Sequence, residues 1–157
     1  MTAGQIVTSP SGERIVLDEV GHTVLFENAR VRVWEVVLEP GESQPWHLHH
    51  HPYLVLNLAS SPCHMDWLNG DPPRHIEEVE GGVVHRLPSP VHMLTNDGDR
   101  TYRSRLVELK DLEKAHAHVV EPGDPVPSGD FVLITLPGGD VSYRPAELRS
   151  GCLIELS

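Results

Sequence analysis

Proline and glycine punctuate this chain from end to end. Fourteen prolines and thirteen glycines are spread over 157 residues, so few stretches of more than about eight residues run without a breaker. Proline cannot donate to a ladder or sit inside a helix, and glycine marks tight turns. What remains between the breaks is short and rich in β-branched residues. Val31–Leu38 alternates well enough for a strand, and Pro40-Gly41 closes it with a turn. Short strands are predicted at His64–Leu68 and Arg74–Val79, around the turn Asn69–Pro73. Others are predicted at Val83–Leu87, His92–Asn96 and Tyr102–Leu109. Strands at about ten-residue spacing predict an all-β antiparallel barrel or jelly roll. No segment reads as a firm helix; Leu112–His118 has room for a helical turn or two.

The length favours one domain, 1–157, with a core at about 14–110 and a C-terminal extension at about 111–157. Residues 1–12 read as a polar arm, and Asp97-Gly98-Asp99 as a hairpin tip. Glu121–Gly129 reads as a linker. Phe131–Leu136 and Cys152–Leu156 are apolar and strand-like. Left bare they would be aggregation-prone edges, so the extension is expected to pack on the barrel, over its mouth, or against a second subunit.

Charge and cysteine content narrow the function. Twelve lysines and arginines stand against 23 acids, a net charge of −11. Such a chain lacks the basic patch that nucleic acid or an anionic membrane requires. No long apolar run spans a bilayer, and the first residues carry neither the charged nor the apolar region of a signal peptide. Cys63 and Cys152 do not make a disulfide framework, which predicts a cytoplasmic protein with free thiols. The expected partner is a small molecule.

Four of the eleven histidines fall between Gly41 and Asn57. A single strand running from this cluster through Tyr53 to Leu58 would place His47, His49, His51 and Tyr53 on one face. Imidazole suits iron, copper, nickel and zinc, so this face is a partial coordination sphere. His92 is the best candidate to complete it from a distance. His50 has the opposite parity and is expected to face out. His64, His75 and His85 read as surface or satisfied core histidines, and His116 and His118 as a stray pair of like parity. Asn96 is expected to fix the turn after His92, Trp34 and Trp46 to pack, and Cys63 to be a small core residue. Glu35, Asp66 and Glu108 are unranked candidates for inward polar groups.

Two motifs in order carry a resemblance. Gly41-x5-His47-x-His49-x3-Tyr53 resembles the first motif of the cupin superfamily. Gly82-x5-Pro88-x-Pro90-x-His92-x3-Asn96 resembles the second. The matched stretch, about Val31 to Lys110, is similar to small single-domain bacterial cupins. Three positions depart from the family pattern. Tyr53 replaces the motif glutamate, Ser60 stands at the closing glycine, and Pro90 replaces a glycine with a gap one residue shorter. The resemblance implies a small β-barrel, often a homodimer, with one divalent transition metal inside, held here by His47, His49 and His92. It implies Fe(II) first, with Ni, Zn, Mn or Cu as alternatives.

Three neutral ligands leave the charge of a dication uncompensated, which favours an anionic, bidentate substrate. The reading is therefore a non-haem Fe(II) oxygenase, by analogy with three-histidine cupins that act on thiols and β-diketones. Tyr53 and His51 would steer protons, with Tyr53 alternatively a packed aromatic. Two other readings stay open. One is a lyase or isomerase that stabilises an enolate, and the other a cupin module that binds a ligand or metal without turnover.

Overall fold

The computed structural model describes residues 3–156, and no helix occurs among them. In chain order the strands are β1 (Ile6–Thr8), β2 (Arg14–Val16), β3 (Thr23–Glu27), β4 (Val31–Leu38) and β5 (Ser43–His47). They continue with β6 (Tyr53–Ala59), β7 (Cys63–Trp67), β8 (Arg74–Ile76), β9 (Val83–Arg86) and β10 (His92–Asn96). The last are β11 (Tyr102–Leu109), β12 (His116–Val120), β13 (Phe131–Thr135), β14 (Val141–Tyr143) and β15 (Gly151–Glu155). They form an antiparallel, jelly-roll-like all-β fold. Strands β3-β4-β11-β6-β9 make a five-stranded sheet and β5-β10-β7-β8 a four-stranded sheet. The chain ends in a third sheet, β12-β15-β13-β14, and β1-β2 is a separate ribbon.

The inner strands of the five-stranded sheet, β4, β11 and β6, are covered on both faces. Trp34, Val36, Leu38, Tyr53, Val55, Tyr102 and Leu106 point one way and cluster with Cys63 and Leu94 of the four-stranded sheet. The alternate residues Val31, Val33, Leu54, Leu56, Val107 and Leu109 point the other way. They meet Val132, Ile134, Cys152, Ile154 and Leu156 of the third sheet. This explains why Tyr53–Leu56 runs without a charged or amide side chain, since a strand covered on both sides loses its polar alternation. The C-terminal extension thus packs on the outer face of the barrel.

Crossings between sheets correct several sequence expectations. The histidine stretch is not one strand. Strand β5 pairs with β10 in one sheet, while β6 pairs with β11 and β9 in the other. The chain must change sheets over residues 48–52, and the two-residue alternation is lost there. Asp97-Gly98-Asp99 is likewise a crossing rather than a hairpin tip, because β10 and β11 lie in different sheets. The crossing is tight: a Cβ on Gly98 would come within 2.1 Å of Ser61 Oγ and 2.8 Å of Pro62 Cδ.

Local pairing corrects three more. Leu112–His118 makes no helical turn, since His116 already begins β12 against β15. The arm at 1–12 contains β1, folded back on β2 by a turn in which Ser9 N donates to Glu13 O at 2.8 Å. Met1 and Thr2 of that arm, and Ser157, lie outside the described residues. The strand expected at Arg74–Val79 ends at Ile76, which frees Glu78 from the ladder. Among the described residues no helix is long and apolar enough to cross a membrane.

Candidate metal centre

Strand ends bring the three predicted ligands together. His47 is the last residue of β5 and His92 the first of β10, and the two are direct partners in the antiparallel register. His49 reaches the same point from the crossing segment. One nitrogen from each of His47, His49 and His92 lies within 4.8 Å of the others, and all three side chains are buried. The ring centroids are 5.0 Å apart for His47 and His49, 4.5 Å for His47 and His92, and 5.1 Å for His49 and His92.

Backbone carbonyls aim two of the rings. His47 Nδ1 lies 2.6 Å from Pro45 O, and His92 Nδ1 lies 3.0 Å from Pro90 O. A carbonyl accepts only, so each Nδ1 carries the proton and each Nε2 is left with a free lone pair. Both carbonyls belong to prolines that precede the histidine by two, so the local sequence itself sets the ring orientation. Ser89 Oγ adds a second contact to His92 Nδ1 at 3.2 Å. His49 is held differently. Its Nδ1 is buried with no hydrogen-bond partner, and its ring lies against Tyr53. The indole of Trp67 meets His92 edge-on at 5.3 Å.

Burial keeps all three imidazoles neutral. His47 is lowered by desolvation, opposed by the Pro45 carbonyl. His49 is held well below its ordinary value by desolvation and then by the other two rings. His92 is pushed down to about 3, mainly by burial. Neutral, convergent nitrogens with an orphaned buried ring atom among them fit a divalent transition ion. No carboxylate joins the set.

The triad forms part of the wall of a small cavity of about 50 Å³, partly open to solvent, between the two larger sheets. Tyr53 also lines it, and burial raises its phenol to about 12, so it stays protonated at neutral pH. Further polar residues that the sequence reading did not single out face this cavity, among them Arg86, Glu78 and Gln44. Arg86 on β9 is the register partner of Tyr53. Glu78 arrives from the segment after β8; its Oε2 is buried without a partner, and burial raises its pKa against the pull of Arg86. Gln44 donates through Nε2 to Glu19 O at 2.7 Å and leaves Oε1 buried and unpaired. Strand parity, with β6 and β9 paired, would have found Arg86. Glu78 lies outside any strand and had no such signal.

The other candidates sit elsewhere. His51 shares no face with His49; it lines a separate hollow with His50, Trp34, Arg32 and Glu108. The change of sheet after His47 is the reason. Glu108 points inward but accepts from Trp34 Nε1 and lies 3.7 Å from Arg32. Glu35 faces the opposite way, 3.6 Å from Arg105. Asp66 and Asp97 flank His64 at 3.1 and 2.7 Å. His50, His75 and His85 are exposed, and Trp34 and Cys63 pack in the core. Asn96 fixes the crossing as expected: Nδ2 donates to Leu38 O and Arg100 O, and Oδ1 accepts from Ser61 Oγ and Gly98 N.

No protein-family model matches the chain, and no curated protein matches it. Solved structures do. A cupin-domain protein from Bordetella pertussis is 25% identical with a TM-score of 0.53, covering 56% of this chain and 90% of that one. A protein with a double-stranded β-helix domain from Klebsiella pneumoniae is 20% identical, with a TM-score of 0.47 over 59% of this chain and 77% of the other. The DMSP lyase DddQ of Ruegeria pomeroyi is 25% identical, with a TM-score of 0.40 over 56% and 42%.

Proposed function

From a chain that is a cupin by fold, we propose a metal-dependent enzyme that acts on a small, anionic, bidentate molecule and consumes dioxygen. The observation that carries this reading is the set of three buried neutral imidazoles with no carboxylate among them, in the wall of a cavity that Arg86 also lines. A divalent ion held by His47, His49 and His92, Fe(II) in this reading, would supply open coordination positions and one-electron chemistry.

The chain's own residues define the rest. The donor set brings no negative charge to a dication, and Arg86 offsets the Glu78 carboxylate in the same wall, so an anion is the ligand that balances the site. Gln44 Oε1 and Glu78 Oε2 are buried acceptors without donors, and a substrate carrying a hydroxyl or thiol would satisfy them. The Tyr53 hydroxyl donates to the bound anion. Glu78, its pKa raised by burial, takes the substrate proton. In the same reading the protein is a cytoplasmic homodimer without nucleic-acid or membrane partners, in keeping with its net charge of −11 and two free cysteines.

A second reading has its own observation. An unpaired carboxylate and a protonated phenol line one cavity, and that pair suits proton abstraction beside a carbonyl in a lyase or isomerase, with no oxidant. The experiment is metal analysis of untagged wild type and His92→Ala, then oxygen uptake of the iron-loaded protein with diketones, thiols and hydroxy acids. Stoichiometric metal lost in the variant, with substrate-driven oxygen uptake, is the expected result. Turnover of the same panel without oxygen selects the lyase or isomerase. Metal binding with no turnover leaves a ligand-binding module.

A further inference from the structure

The edge of the third sheet carries a second group of metal-ligating side chains. In β12, His116, His118 and Val120 share one face. In β15, Leu153 and Glu155 share the same face, because His116 pairs with Glu155 and His118 with Leu153. Val120 and Leu153 belong to an apolar cluster with Phe131, Leu133 and Leu148 on the side away from the barrel. The polar trio begins where that cluster ends.

Its geometry is convergent. One ligand atom each of His116, His118 and Glu155 lies within 4.8 Å of the others, and the two imidazole centroids are 4.9 Å apart. His118 Nδ1 is 3.8 Å from Glu155 Oε2, too far for a hydrogen bond, and that nitrogen is shielded from solvent without a partner. A shielded nitrogen facing a carboxylate across such a gap is the spacing that a bridging cation closes. Arg30, which lines the hollow beside Glu155, is already engaged by Asp111 at 3.6 Å and by the carbonyl of Leu156. Lys114 lines the same hollow.

We propose that His116, His118 and Glu155 form a second divalent-metal site, distinct from the central triad, which fastens the edge strand β12 to β15. Two imidazoles and one carboxylate suit zinc, copper or nickel rather than calcium or magnesium. Water completes the shell on the exposed side. The site differs from the central one in charge, since its carboxylate offsets half of a dication. It stands on the third sheet and owes nothing to the proposed reaction.

Equilibrium dialysis of untagged protein against zinc(II) tests it. The set is wild type, His92→Ala, His118→Ala and the double variant, with Val119→Ala, a change on the opposite face of β12, as control. The expected stoichiometries are two, one, one and none, with the control at two. Zinc should raise the melting temperature of His92→Ala and leave that of the double variant unmoved. Should His92→Ala fail to fold, His118→Ala and Glu155→Gln in the wild-type background decide alone, each losing one equivalent. Unchanged stoichiometry in both His118→Ala and Glu155→Gln overturns the site, as does a wild-type protein that binds a single equivalent lost on His92→Ala.

Discussion

The ring of His49 lies flat on that of Tyr53, with centroids 3.9 Å apart and planes 12° from parallel. His47 and His92 are oriented by backbone carbonyls, but His49 Nδ1 has no hydrogen-bond partner and its ring rests most closely on Tyr53. Tyr53 therefore supports the His49 imidazole by its ring face rather than by an oxygen.

That division of labour separates two substitutions. Tyr53→Phe keeps the ring and should keep metal stoichiometry while lowering turnover. Tyr53→Ala removes the support, and metal affinity should fall by about ten- to a hundredfold, the range found for groups that orient ligands. Competition with a chelating dye reads both. Equal affinity in the two variants would show that the stack does not hold His49.

Glu78→Gln keeps shape and removes the base. Metal content should stay at wild-type level and kcat should fall about a hundredfold or more. Arg86→Gln should instead raise KM for an anionic substrate about tenfold, or 1.4 kcal/mol. A change in metal content on Glu78→Gln would place that carboxylate in the coordination sphere.

Acid should destabilise the metal-free protein through His92. Its folded pKa is about 3 against an ordinary value of 6.5, so the unfolded chain binds the proton more readily. Stability from this neutral histidine is fully present above pH 6.5 and is lost as pH falls toward 3. The loss between pH 6.5 and 5 is on the order of 2 kcal/mol. His47 and His49 act in the same direction. Urea midpoints of chelated protein at the two pH values measure it, and a flat profile would contradict burial of the triad.

Asn96 is buried and makes four hydrogen bonds across the β10–β11 crossing. Asn96→Ala strands two carbonyls, a hydroxyl and the Gly98 amide, at a cost of about 3 kcal/mol. Ile154→Ala opens a hole between the third sheet and the barrel, at about 3 kcal/mol also. Thermal melts should show both. A near-neutral Ile154→Ala would mean that the C-terminal sheet is not integral to the barrel.

Residue pattern determined the strands and the triad. Val31–Leu38 and Tyr102–Leu109 carry β-branched residues between clear breakers, and both form over the predicted ranges. His47, His49 and His92 were legible because each lies at fixed spacing from a turn-forming Gly or Pro. Gly41 adopts φ 83°, which only glycine takes without strain, to start the histidine segment. What the sequence could not show was which sheet each strand joins. The chain changes sheets at 48–52, which takes His51 away from His49, and at 97–99, where a hairpin was expected. Alternation along a strand is a local property, but a crossing is set by packing between sheets. The same holds for Arg86 and Glu78, whose place in the cavity depends on β9 pairing with β6 and on β8 ending early. Only the tertiary structure decided that these two residues face the histidines, because contacts between residues distant in sequence come from the closing of one sheet over the other.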